Sequence, residues 1–219
     1  ELQRQKAYQY LYQNLITLKE NHNEYSTLYI VDAMTGLAVI STEPEKSGTD
    51  FSKDPGFVSV LNPIAGDSIH IKRDTESDTL FFQIANPIFP PGSGKENYDS
   101  PFAVLIMQGR VNETIRPLLQ TGAVIGKTGE VVLVNQDSVI LTNLKYPLRD
   151  GTIAKPLEYI NTAKPAQMAA AGVEGIVTDT DYRGVPVLAI TRHLPITSEA
   201  SWGMVVKIDE EEALAPVKQ

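Results

Sequence analysis

"VLIMQGRVNETIRPL" (Val104–Leu118) and "GMVVKIDEEEALAPV" (Gly203–Val217) lie 99 residues apart and are written to one plan. In each, an apolar strand runs into a polar helix start. At this offset Ile115 falls on Leu214, Pro117 on Pro216 and Leu118 on Val217. A second echo lies upstream. "YIVDAMTGLAVIST" (Tyr29–Thr42) rises through apolar residues to an Asp, turns, and descends through a second apolar run. "VLVNQDSVILTN" (Val132–Asn143) does the same. Two echoes, one at each end of a unit of about 100 residues, read as a module written twice.

Working outward, each module reads as a hairpin, a helical connection and three further strands. In the first, strands are expected at 26–32 and 37–42 and over "DSIHIKRD", "TLFFQIANPIF" and "PFAVLIMQG". Asp54 and Pro55 supply the cap and first position of a short helix, "PGFVSVLN". Asn112 is placed to cap another, "NETIRPLL". In the second, strands are expected at "EVVLVN", "SVILTN", "GVEGIVTDTD", "VPVLAITRHL" and "WGMVVKID", with a Pro-broken helical zone over "AKPLEYINTAKPAQMAAAG". The runs "AVLIM" and "MVV" are apolar at every position, so they read as central strands covered on both faces. The predicted fold class is α+β: two tandem modules, each a roughly five-stranded antiparallel sheet flanked by helices. A long helix precedes them. Tyr8, Leu11, Leu15 and Leu18 recur on one helix face, and 21 residues at ~1.5 Å each span roughly 30 Å.

Composition narrows the function classes. At 42% hydrophobic residues the 219-residue chain can build a core. Its net charge of −8 and scattered basic residues argue against a nucleic-acid partner. With no cysteine, disulfide frameworks and thiolate chemistry are excluded. His22, His70 and His193 have no metal-ligand spacing. "GAVIGKT" (Gly122–Thr128) falls one residue short of a phosphate loop and reads as a linker. "DTD" (Asp179–Asp181) reads as turn chemistry and "DEEE" (Asp209–Glu212) as acidic residues favoured by a helix dipole. No nucleophile, base and oxyanion set is present, so the chain reads as non-catalytic, with no cofactor and no metal.

The hairpin "LYIVDAMTGLAVIST", together with "GKTGEVVLVNQDSVILTN", "DYRGVPVLAITRHLP" and "WGMVVKIDEEEALAPV", resembles the double Cache (tandem PAS-like) sensor domains of prokaryotic histidine kinases, chemoreceptors and cyclic-dinucleotide enzymes. The resemblance implies an extracytoplasmic, ligand-sensing part of a transmembrane receptor, with a sensor histidine kinase the first expectation. It also implies four segments: a helix at 1–24, a membrane-distal module at 25–121, a membrane-proximal module at 122–208 and a helix toward the membrane at 209–219. The implied partners are a small molecule, the membrane through flanking segments, and a second copy in a homodimer. A structural or protein-interaction ectodomain is the alternative. One subgroup of the family binds amino acids through a Tyr, an Arg, a Trp and an acidic residue in set order. That order is not found here, where the one Trp is Trp202.

A pocket would be built from alternate strand residues facing the helical cover. In the distal module these are His70, Lys72, Phe81 and Gln83, with Tyr98 from a loop. Two basic groups beside an aromatic and an amide suit a small anion. The comparable set in the proximal module is Tyr159, Tyr182, Arg183 and Arg192, Arg183 reading as a solvated turn residue.

Overall fold

Residues 1–114 and 115–219 form two separate units. The structure, a computed structural model, describes residues 2–62, 66–74, 77–92, 100–121, 126–197 and 200–215.

The first unit begins with helix α1 (Leu2–Asn21), followed by strands β1 (Thr27–Asp32) and β2 (Ala38–Ser41). Asp32 makes the hairpin turn, its Oδ1 accepting from the amides of Met34 and Thr35 and from the Thr35 hydroxyl. Gly36 completes it at φ +73°, where a Cβ would lie 2.7 Å from the Ser52 backbone. Helix α2 (Pro55–Val60) starts on Asp54, whose Oδ1 accepts from Phe57 N at 3.0 Å. Strands β3 (Ser68–Arg73), β4 (Leu80–Ile88) and β5 (Ala103–Arg110) complete an antiparallel sheet of order β2-β1-β5-β4-β3.

Strand alternation divides this sheet into two faces. Leu28, Ile30, Ile40, Leu105 and Met107 pack with Tyr12, Leu15 and Leu18 of α1. Tyr29, Val31, Val104 and Ile106 pack with Phe51 and with Phe57 and Val60 of α2. The "AVLIM" run is apolar throughout because each parity meets a different helix.

Helix α3 (Val111–Thr121) begins in the first unit and ends in the second; Asn112 lies inside its first turn, not ahead of it. The second unit continues with β6 (Glu130–Val134), α4 (Lys164–Ala170), β7 (Gly175–Thr180), β8 (Pro186–Pro195), β9 (Ser201–Asp209) and α5 (Glu210–Leu214). Its sheet has the order β6-β9-β8-β7, again antiparallel. Under the 99-residue shift β5 falls on 202–209 of β9, so β6, β8 and β7 take the places of β1, β4 and β3.

The "SVILTN" segment forms no named strand. It keeps only the bridges Val134↔Ile140 and Val139↔Ile160, where the counterpart of β2 would lie. Asn135 Oδ1 draws in the amides of Asp137 and Val139, and Ser138 sits at φ 60°. The chain is turning there and cannot extend a ladder. The helical zone forms only in its second half, since Leu157 at φ 67° breaks the first. Ala166, Ala169 and Ala170 let α4 lie close to β9. A Cβ on Gly203 would come within 2.4 Å of the Ala169 carbonyl carbon, so "WG" and "AQMAAAG" are two sides of one contact.

Candidate ligand-binding cleft and its filled counterpart

His70, Lys72, Phe81 and Gln83 lie on the α2-facing side of the first sheet, in register with each other and with Gln108 and Arg110 of β5. The structure thus brings these four residues together. Asp54 is their hub. It pairs with Lys72 Nζ, accepts from Gln83 Nε2 at 2.9 Å, and caps α2. Gln83, only 1% exposed, accepts through Oε1 from Gln108 Nε2 at 2.9 Å. Tyr29 OH donates to Gln108 Oε1 at 3.4 Å. Burial raises the Asp54 pKa, but the hydrogen bond and charge of Lys72 and the Phe57 amide outweigh it and hold the carboxyl below its ordinary value. His70 is held below its ordinary pKa by burial first and by Lys72 second, with Asp54 pulling the other way. A Cβ on Gly56 of α2 would lie 3.1 Å from the His70 ring. His70 and Lys72 therefore hold the cover helix. Lys72 pairs with Asp54 at the start of the cover helix, and neither it nor His70 is among the residues that line the cleft beside this network.

Beside this network opens a cleft of about 660 Å³, within the range of small-molecule sites. Thr27, Tyr29, Phe81 and Gln108 supply sheet residues to its lining, and Glu43 and Lys46 come from the loop after β2. Arg73, Asp74 and Arg110 lie at the strand ends. Thr27 Oγ1 donates to Glu43, and Lys46 lies 2.9 Å from the same carboxylate. Burial pushes Glu43 up, yet the Thr27 hydroxyl and Lys46 bring it below the usual carboxylate range. Burial, with Glu43 nearby, pushes the Tyr29 phenol up to about 12, so it remains a donor. Arg73 meets Asp78 at 2.5 Å and Arg110 meets Glu113 at 2.9 Å. Of the residues expected from sequence, Phe81 lines the cleft and Gln83 reaches it through Gln108. Tyr98 lies outside the described residues. Sequence reading passed over Gln108, Glu43, Lys46, Arg73 and Arg110. Only Gln108 left a signal, as a polar residue within an apolar strand.

The second module fills the equivalent place. Lys207 stands where Gln108 stands under the 99-residue shift, and is 2% exposed. Its Nζ lies 2.8 Å from Glu130 Oε2 and 2.6 Å from Asp181 Oδ2. Tyr182 OH donates to Glu130 Oε2 at 2.6 Å. Arg183 Nε donates to Asp181 Oδ2 at 2.7 Å, and its Nη2 pairs with Asp209. The Tyr146 ring carries Arg183 at 4.5 Å and Lys207 at 5.9 Å. Burial, then the carboxylate of Glu130, pushes the Tyr182 phenol far up. Asp181 stays below its ordinary value because Lys207 and Arg183 outweigh its burial. The space left beside Lys207 and Asp181 is about 10 Å³, roughly one water.

The four residues expected here do not form one site. Arg183 is not a solvated turn residue: its side chain is 13% exposed and holds two carboxylates. Tyr182 is buried in the core. Tyr159 packs at the edge of that core. Arg192 pairs at 3.5 Å with Glu174 and has the register parity of Met204, opposite to that of Lys207. Among the described residues, no group of three or more His, Asp or Glu is placed to hold a metal ion.

The last helix is tied down by the "GKT" residues. Glu212 accepts from Lys127 N at 2.6 Å and from Thr128 N and Oγ1 at 2.8 and 2.6 Å. Asp209 N donates back to Thr128 Oγ1 at 3.0 Å. These amides do hold an anion, and it is the chain's own carboxylate. Residues 122–125 of the linker lie outside the described residues.

No protein-family model matches the chain, and no curated protein matches it. Solved structures do. An extracellular ligand-binding receptor from Desulfohalobium retbaense matches with TM-score 0.60 at 16% identity over 87% of this chain, which spans 31% of that one. The extracellular domain of rpHK1S-Z16, described as a histidine kinase, matches with TM-score 0.65 at 14% identity over 93% of this chain and 78% of that one. The ligand-binding domain of the Pseudomonas aeruginosa amino-acid chemoreceptor PctC, in complex with GABA, gives TM-score 0.56 at 14% identity over 85% and 75%. The chain therefore has the tandem α+β fold found in extracellular ligand-binding domains of bacterial receptors and histidine kinases.

Proposed function

We propose that this chain is the extracytoplasmic sensor of a transmembrane receptor, with a histidine kinase as its output, and that it binds one small molecule in its first, membrane-distal module. The observation that carries this reading is the contrast between two equivalent positions. Around Gln108 there is an open cleft of about 660 Å³; around Lys207 there is a closed ion cluster. One module is built to receive and the other to couple. Among the described residues no helix is long and apolar enough to cross a membrane, so membrane attachment is assigned to flanking segments.

Lys46, Arg73 and Arg110 offer a ligand carboxylate three cations. Exposed pairs such as Arg110 with Glu113 are worth about 0–1 kcal/mol, so a ligand can compete for the arginine. The small-anion expectation thus moves from His70 and Lys72 to this group. GABA in the PctC structure is a molecule of suitable size and charge. Binding favours one of two arrangements by its differential affinity, and the second module passes that preference to α5 through Arg183–Asp209 and Thr128–Glu212.

A thermal-shift screen of small acids, amines and sugars tests the assignment. A ligand at 100 times its dissociation constant stabilises by ~2.7 kcal/mol. The Arg110→Ala and Gln108→Leu variants should lose the shift given by any hit, and Lys207→Met should keep it. The reading fails if no compound shifts the wild-type protein, or if hits survive both cleft substitutions.

A further inference from the structure

A row of side-chain amides beneath the cleft has a fixed direction. Asp54 has no proton to give: its carboxylate pairs with Lys72, and Oδ1 accepts from Phe57 N. Gln83 must therefore turn its NH2 toward Asp54, as it does at 2.9 Å. Being 1% exposed, Gln83 has no solvent to satisfy a reversed amide. Its carbonyl then faces β5 and accepts from Gln108 Nε2 at 2.9 Å. Gln108 is turned in consequence, its own carbonyl oxygen on the side of Tyr29 OH, which donates to it. The second lone pair of that oxygen remains, and Tyr29 and Gln108 both line the cleft. The nearby Glu43 carboxylate already accepts from Thr27 Oγ1 and pairs with Lys46, and its remaining lone pairs add negative charge on the same side of the cleft.

We propose that Asp54, which does not itself line the cleft, sets the polarity of the cleft floor through Gln83 and Gln108, so that the floor takes the hydrogen-bond-donating end of the ligand, an ammonium or similar head group. This rests on the cleft of the first module being the ligand site. A carboxylate on the same molecule belongs at the cations Lys46, Arg73 and Arg110. Asp54 is a positioning residue, acting through two amides on a group about two side chains away. The recognised class is a small molecule with a cationic or donor-rich head, held by a different set from the Tyr–Arg–Trp–acid order that the sequence lacks.

The test is a pair of titrations of 15N-labelled protein, one with methylammonium chloride and one with sodium acetate. Methylammonium should move the Thr27, Tyr29 and Gln108 backbone signals and the Gln108 side-chain amide, with an apparent affinity about tenfold above that of acetate at these residues. In Asp54→Ser the cap survives, since Ser caps as well as Asp, but the hydroxyl can donate as well as accept, so the direction of the amide row is no longer fixed. The preference should fall to within about twofold. Gln83→Leu, which cuts the row at its middle, should do the same and replaces Asp54→Ser if that variant loses its dispersed spectrum. The proposal is overturned if acetate moves the floor as strongly as methylammonium, if neither moves it, or if a folded variant keeps the full preference. A silent floor with responses at Arg73 and Arg110 defeats this inference and leaves the cleft standing; silence at both defeats the two together.

Discussion

Lys207 occupies in the second sheet the position that Gln108 occupies in the first, 99 residues earlier and on the same parity of the same central strand. Gln108 faces Thr27 across the sheet and Lys207 faces Glu130. One exchange of residue types at this pair of positions accompanies an open cleft in one module and a closed ion cluster in the other.

The cluster makes the second module sensitive to loss of its central cation. Lys207→Met should cost about 3–5 kcal/mol, because two buried carboxylates lose their common partner. Urea unfolding followed by circular dichroism measures this. A loss below about 1 kcal/mol would place Lys207 among ordinary surface pairs.

Acidification should weaken the first module in two stages. His70 has its folded pKa lowered below the model-peptide value of 6.5. The unfolded chain therefore takes up the proton first, and stability falls as pH drops below about 6.5 until the folded pKa is reached. Asp54 is also depressed, from 3.8, so its contribution is present above that value and is lost as pH falls below it. His70→Gln should flatten the decline between pH 7 and 5 while leaving the acid limb in place. Denaturant midpoints across this range decide it; an unchanged slope would contradict the burial assigned to His70.

Gly203→Ala should destabilise the second module by about 1–3 kcal/mol or more, as overpacking does. The new Cβ meets Ala169 backbone atoms, which cannot rotate away as a side chain can. The same substitution at Gly151, where a Cβ meets nothing within 4 Å, should act only through its positive φ. Thermal unfolding of the two variants separates packing from backbone strain.

Glu212→Ala should loosen α5 without unfolding the sheet. Three donors, Lys127 N and Thr128 N and Oγ1, lose their acceptor together. Hydrogen exchange at the Lys127 and Thr128 amides should accelerate, while amides of β8 and β9 stay protected. Unchanged exchange at these two amides would show that the carboxylate does not hold them in solution.

The fold was readable because periodicity and repetition carry it. The double coverage of "AVLIM" in β5, the Asp54–Pro55 helix start and the hairpin turn at Asp32–Gly36 are local signals, and each appears where it was expected. Alternation also placed His70, Lys72, Phe81 and Gln83 on one face. It did not reveal which of them α2 would claim, because that depends on Asp54 arriving from 18 and 29 residues upstream of Lys72 and Gln83. The ion cluster was still less legible. It gathers Glu130, Tyr146, Asp181, Arg183 and Lys207 from four separated segments, and no spacing rule joins them. In sequence, "DYRG" looks like a turn; it is one, and only the fold shows that its charges point inward.

The central claim is that the first module receives the ligand and the second does not. A crystal structure of the domain with a hit from the small-molecule screen tests it most directly. The account predicts ligand density against Gln108, Tyr29 and Phe81, with the Lys207–Glu130–Asp181 contacts intact. Density displacing the Lys207 cluster, with the Gln108 cleft filled only by solvent, would contradict it.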